Sequence, residues 1–261
     1  MGLVFRHGRR SRNCRSAITS STYFQLSEAL ATAPPARHTC RMRSYDEIFS
    51  IAANRHGGPD ALNAALSKPT PPDVLAQIPD NRWLAQMTKC VFQAGFNWKV
   101  IEAKWDGFEA AFMDFDLASC AFMDDATFDA LLSNSAIVRN GAKIATVREN
   151  ASFLLSLHDQ GGAGRVLGGW PSTDYIGLLD RLKRDGARLG GNTGQYAMRF
   201  LGRDGFILSR DVTARLITEG IIDKPATSKS ALNAVQAAFN LWMEQSDRSL
   251  TEISQTLARS L

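Results

Sequence analysis

Residues 140–158 read NGAKIATVRENASFLLSLH, and their spacing decides the fold. Ile144, Val147, Ala151, Leu154 and His158 recur at intervals of three and four, the period of one face of an α-helix. The stretch from about Asn140 to His158 is therefore expected to be one long helix with a buried stripe. Leu232, Val235, Phe239 and Trp242 repeat that spacing near the C-terminus. Ser44-Tyr45-Asp46-Glu47 and the Ser249 to Glu252 run are capping boxes, which mark helix starts because each pair satisfies amides left without partners. No stretch shows the alternating, β-branched character of a strand, so the expected fold class is all-α. His158, at the end of its stripe, reads as a packed core residue, and Trp105, Trp170 and Trp242 read as core or surface anchors.

Working outward, the 261 residues fit one large domain or two small ones, and 44% hydrophobic content suffices for a core. No apolar run approaches the roughly 20 residues that cross a bilayer, so no membrane association is expected. Cys14, Cys40, Cys90 and Cys120 show no CxxC spacing, which points to a reducing, cytoplasmic setting without a disulfide framework.

The net charge of +4 is unevenly spread. Residues 1–43 carry eight arginines against one acid, Glu28, while the remainder holds 22 basic and 25 acidic residues. Any nucleic-acid contact by the folded part must therefore come from a local patch and backbone amides. Residues 1–43 form a basic tail with a breaker, Thr32-Ala33-Pro34-Pro35-Ala36, near its end, and residues 44–261 form the helical domain. Three readings of the tail stay open: a transit peptide, a DNA-tethering arm, or translated sequence upstream of a start at Met42.

Three segments carry chemistry. Gln93-Ala94-Gly95-Phe96-Asn97-Trp98 sets an aromatic side chain at the head of a helix after a small-residue break. Ile137-Val138-Arg139-Asn140-Gly141-Ala142-Lys143-Ile144 leads into the long helix. Gly186 to Tyr196, GARLGGNTGQY, is a glycine-rich turn between two helical stretches. In order and spacing, from Trp83 to about Gly220, these resemble the 3-methyladenine DNA glycosylase type I family of the helix-hairpin-helix superfamily. The resemblance implies a helical bundle that binds damaged double-stranded DNA as a monomer and hydrolyses the N-glycosidic bond of 3-methyladenine. It implies no cofactor.

Physical reasons attach to each segment. An extruded base loses its stacking, which an aromatic wall such as Trp98 restores at about 1–3 kcal/mol per base. N3-methyladenine is cationic, so a π face adds attraction, and its charge makes it a good leaving group. In the turn, glycines let backbone N–H groups approach a phosphate, which makes Gly190, Gly191, Asn192 and Thr193 the candidate DNA-backbone contacts, with Tyr196 packed behind them. The base pocket is assigned to Trp98, Cys90 and Gln93.

The sequence also departs from the family. The resemblance implies a glutamate three residues before Gln93, where Cys90 stands. A zinc staple is expected to be absent, because no Cys or His follows His158, and the helical extension from Thr227 to Leu261 is expected to hold the chain ends instead. The superfamily's catalytic aspartate falls near Ser209 or Asp211; Asp211 is the candidate catalytic residue, with a helix-capping role as its alternative. A lesion-binding protein without efficient catalysis, and a helical scaffold unrelated to DNA, are the competing functional readings.

Overall fold

The computed structural model describes residues 42–261, so the basic tail lies outside the described residues apart from its last two positions. Those two belong to the fold. Met42 packs against the core, and Arg43 donates from its backbone N and from Nη1 to Glu219 at 3.0 and 2.9 Å. The fully buried Glu219 carboxylate thus takes one of its two charge partners from Arg43, the other being Arg215.

Every regular element described is helical. The first helix, α1 (Tyr45–Arg55), starts from the Ser44 capping box, both halves of which form. Prolines open α2 (Pro59–Ala65) and α3 (Pro72–Leu75), where the missing N–H costs nothing. Then follow α4 (Asp80–Gln93), α5 (Trp98–Ala103), α6 (Trp105–Ala111), α7 (Leu117–Ala121) and α8 (Asp125–Ser133). The long helix is α9 (Gly141–Leu155), followed by α10 (Tyr175–Asp185), α11 (Asn192–Phe200) and α12 (Arg210–Thr218). The chain closes with α13 (Lys229–Ser246) and α14 (Leu250–Arg259), the latter opened by the Ser249 capping box.

Within α9 the stripe Ile144, Val147, Ala151 and Leu154 is fully buried, and Asn140 caps the start by accepting from the Lys143 amide at 3.2 Å. The helix stops at Leu155, three residues short of expectation. Beyond that stop the helical register no longer applies: Leu157 takes the next buried place and His158 faces solvent. Packed against α9 are α4, α7 and α8; α4 also meets α11, and α10 lies between α11 and α13. One continuous core runs from Tyr45 to Leu257.

The C-terminal extension ties the ends of the described chain together. Trp242 Nε1 donates to the Arg43 carbonyl at 3.0 Å, Tyr45 N donates to Gln245 at 3.0 Å, and the Tyr45 and Thr256 hydroxyls lie 3.1 Å apart. Arg215 Nε donates to Ser260 at 2.7 Å while its Nη1 reaches Glu219 at 3.2 Å. Among the described residues no three His, Cys, Asp or Glu side chains cluster as a metal site requires, and no helix is long and apolar enough to cross a membrane.

Candidate functional site

Helix α4 ends where the sequence turns small. Gly95 adopts φ +69°, the left-handed region, so the chain reverses directly after Ala94. The carbonyls of Phe92 and Ala94 at this end accept from Lys143 Nζ at 3.0 and 2.8 Å. A buried cation thus terminates α4 with the sign its dipole favours, and burial, more than the nearby Arg188, lowers the Lys143 pKa. Asn97 then caps α5 by accepting from the Lys99 amide at 3.0 Å, which leaves Trp98 as the first helical residue.

Trp98 keeps 43% of its surface exposed. Its ring meets Tyr196 and Phe200 edge-on at 5.7 and 5.9 Å, and those two rings stack on each other at 5.7 Å. Tyr196 and Phe200, four apart on α11, present one face. Tyr196, expected behind the glycine turn, thus stands beside the tryptophan.

A cavity of about 270 Å³ opens at this contact, lined by Cys90, Gln93, Ala94, Gly95 and Trp98 on one side and by Asn192, Thr193 and Tyr196 on the other. Its size lies near the lower end of small-molecule sites, roughly 300 Å³. No Asp, Glu, Lys, Arg or His side chain is among the lining residues. Cys90 is buried, accepts from Gln86 Nε2 at 3.3 Å, and has its thiol pushed up to about 11 by burial, so it is neutral near pH 7. A second cavity, about 370 Å³, borders Trp98 and Phe200 and is shared with Gln93, Lys89 and Glu102. There Glu102 accepts from Gln93 at 3.1 Å and pairs with Lys89 at 2.7 Å.

The glycine-rich turn reaches the first cavity through α11. Gly191, at φ +59°, precedes a helix start that no side chain caps, leaving the first amides of α11 open. Gly194 permits close packing, since a Cβ there would sit 2.2 Å from the Leu189 carbonyl oxygen. The fully buried Asn150 holds the turn from below: its Nδ2 donates to the Ala187 carbonyl at 3.2 Å and its Oδ1 accepts from the Ala187 amide at 2.8 Å.

The structure thus brings Trp98, Cys90 and Gln93 together with Asn192 and Thr193 around one cavity, with Gly191 and Gly190 directly preceding them. Gly191 and Asn192 also border a larger cleft of about 450 Å³ that holds Lys183. Asp211 is not among the residues lining the Trp98 cavity. It lies in the first turn of α12, half exposed, 3.5 Å from Arg210, and the cap itself is Ser209, which accepts from the Val212 amide at 3.2 Å. Three contributors escaped the sequence reading: Phe200, Lys143 as the α4 terminator, and Asn150. Only Phe200 carried a local signal, its spacing of four from Tyr196.

The family described as methyladenine glycosylase matches residues 76–166, which include α4, the Trp98 segment and the whole of α9. Three solved structures resemble the chain, each with a TM-score of 0.42. One is 3-methyladenine DNA glycosylase I, 20% identical, covering 52% of this chain and 90% of that one. Another is a point mutant of 3-methyladenine DNA glycosylase I from Staphylococcus aureus, 18% identical, covering 58% and 89%. The third is a mutant of 3-methyladenine DNA glycosylase I in complex with 3-methyladenine, 20% identical, covering 59% and 90%.

Proposed function

We propose, for a chain that matches the methyladenine glycosylase family over residues 76–166, that it is a monofunctional DNA glycosylase releasing 3-methyladenine from alkylated double-stranded DNA. The observation that carries this reading is the convergence of Trp98 and Cys90 with Thr193, about a hundred residues later, on one base-sized cavity. A flipped base entering it stacks on a tryptophan already flanked by Tyr196 and Phe200, which recovers about 1–3 kcal/mol of lost stacking. The open amides after Gly191 lie beside the same cavity and suit a backbone phosphate. Gly190, Gly191, Asn192 and Thr193 are therefore the backbone contacts of this proposal, and Trp98, Cys90 and Gln93 its base pocket.

The chemistry asked of the protein is modest. N3-methylation puts positive charge on the base, so the glycosidic bond breaks with the departing base neutralised, and water attacks the sugar carbon. With no ionised group lining the cavity, the π faces are what favour the cation over unmodified adenine.

Base release from methylated DNA, with the free bases resolved by chromatography, tests the proposal. Wild-type protein is expected to release 3-methyladenine, and Trp98→Ala to lose about 1–3 kcal/mol in release and in affinity for the flipped base while keeping its circular dichroism. A folded Trp98→Ala protein that excises methylated bases at the wild-type rate would sink the pocket assignment.

A second reading has its own support. Where the family places a glutamate this chain has Cys90, a neutral thiol and a weak hydrogen-bonding group. A lesion-binding protein with little catalysis follows if that carboxylate is indispensable. Wild-type protein would then bind lesion-containing duplex without releasing base, and Cys90→Glu would gain release, since a negative group beside a cationic base is stabilising.

A further inference from the structure

Tyr196 and Phe200 contact the Trp98 ring, Tyr196 lines the Trp98 pocket as well, and the two rings together line a third cavity of about 410 Å³. Its lining includes three cationic side chains, Lys68, Arg199 and Arg259, and no carboxylate. Among the described residues none of the three has an ion-pair partner, unlike Arg43, Arg82, Lys89, Arg215 and Arg248. Asp204, the carboxylate whose charge Arg199 feels, already accepts from Ser172 Oγ and from the amides of Leu250 and Thr251. Three cations outside any ion pair line a cavity without a carboxylate, so an anion placed there gains attraction from each of them.

Two of the cations are held by hydrogen bonds, and the third is carried on a braced loop. Lys68 is exposed and makes no hydrogen bond, but the loop carrying it is stitched on both sides. Before it, Ser67 exchanges two hydrogen bonds with Gln255, N to Oε1 and Nε2 to O, both at 3.2 Å. After it, Thr70 N donates to the Gly202 carbonyl at 2.8 Å, and Gly202, at φ +91°, has no room for a Cβ beside the Thr70 hydroxyl. Arg259 is anchored through Nη1 to Gln255 O at 3.2 Å and Nη2 to Ala65 O at 3.3 Å, which orients the guanidinium without cancelling its charge. Arg199 is fixed through Nη2 to Gly205 O at 2.6 Å. A loop tied to α14 and to the end of α11, presenting a cation beside two aromatic faces, is pre-organised for binding.

We propose that this cavity holds a backbone phosphodiester of the DNA strand whose base occupies the Trp98 pocket, so that Tyr196 and Phe200 form the partition between base and phosphate sites. This rests on the glycosylase reading for the identity of the polymer. The strand is then gripped on both sides of the extruded nucleotide: by the amides after Gly191 on one side and by Lys68, Arg199 and Arg259 on the other. Such an arrangement explains how a folded part with an acidic balance acquires affinity for DNA, because the contact is local.

The test is a fluorescence titration of labelled duplex carrying an abasic-site analogue, repeated across salt concentrations with wild-type protein, Lys68→Glu and Lys68→Arg. Lys68 has no partner to lose, so both variants should melt as wild type does. Lys68→Glu is expected to weaken binding about tenfold at 0.1 M salt and to reduce the slope of log affinity against log salt by roughly 1, the signature of one lost phosphate contact. Lys68→Arg is expected to retain both. A folded Lys68→Glu protein with wild-type affinity and slope overturns this inference and leaves the glycosylase reading intact. Wild-type protein that fails to bind the duplex at low salt overturns both.

Discussion

Trp242 is fully buried, its indole N–H donates to the Arg43 carbonyl at 3.0 Å, and Phe239 packs edge-on against it at 5.6 Å. Trp98 keeps 43% of its surface exposed, stands nearly perpendicular to its neighbours Tyr196 and Phe200, and lines two open cavities. One side chain type thus serves two regions with opposite demands. Where α13 and α14 close over α1, polar groups find partners and apolar surface is covered, so the region is organised for stability. At the junction of α4, α5 and α11 a large apolar ring is left out of the core, although burying it would be favourable. An exposed tryptophan in a cavity wall is the arrangement that stacking on a ligand requires, whereas a buried one with a satisfied N–H is not.

Replacing the two residues separates the regions. Trp242→Ala should cost about 3–5 kcal/mol, read from urea unfolding, because it opens a large void and strips the Arg43 carbonyl of its donor. Trp98→Ala, by contrast, should stay within about 1 kcal/mol of wild type, the worth of its edge contacts. If the two variants were equally destabilised, Trp98 would be a structural residue and the contrast would collapse. The next largest effect is expected at Glu219, whose side chain is fully buried between Arg43 and Arg215. Glu219→Ala leaves Arg215, only 6% exposed, without its carboxylate, and should cost about 3 kcal/mol. A loss below about 1 kcal/mol would mean that the Ser260 contacts alone satisfy Arg215, and that the ends are held without this network.

The two regions also differ in how legible they were. Both capping boxes, at Ser44 and Ser249, form as their spacing predicts, and the stripes of α9 and α13 face the core, because caps and amphipathic period are local properties. Local reasoning failed where helical register ended, which is why His158 lies outside while Leu157 is buried. At the candidate site the motif residues were readable, but the parts that position them were not. Lys143 acts on carbonyls about fifty residues earlier, and Asn150 braces a turn nearly forty residues later. A lysine or asparagine inside a helix carries no sequence mark of such a distant partner; only tertiary packing supplies it. The same holds for Tyr196, whose position beside Trp98 follows from how α11 meets α4.

A smaller effect should appear at alkaline pH and belongs to the cavity region. The Cys90 thiol has an ordinary value of 9.0, and burial, opposed only in part by Gln86 and Lys89, moves it up to about 11 in the folded chain. Between those values the native chain keeps a proton that the unfolded chain has released. The stabilisation is complete below pH 9 and drains away as pH rises towards 11, by at most about 3 kcal/mol. Cys90→Ala should therefore show a shallower loss of stability over this range, whatever its stability at pH 7. The buried Cys120 thiol, pushed up to about 12, and Tyr45, also raised by burial, will still contribute an alkaline slope. An unchanged slope in the variant would show that the Cys90 thiol is solvated through the cavity mouth.

The smallest effect is expected at Asp211, and it bears on mechanism. Asp211 sits in the first turn of α12 with its side chain 52% exposed, and its one ion pair, 3.5 Å to an Arg210 that is 96% exposed, is worth little. The cap that starts this helix is the Ser209 hydroxyl, so Ser209→Ala should cost about 1 kcal/mol while Asp211→Asn changes stability by less than about 0.5 kcal/mol. The same variant separates two origins of catalysis. If the cationic base leaves on its own charge once it is stacked on Trp98, removing a carboxylate that does not line the cavity should change base release by less than about threefold, under 1 kcal/mol in the barrier. If Asp211 instead orients water or steadies positive charge on the sugar, release should fall at least a hundredfold with affinity for abasic-site duplex preserved. That second outcome would mean that the bound DNA brings the reacting sugar to the start of α12, and that the catalytic group and the base pocket lie on separate elements joined only by the substrate.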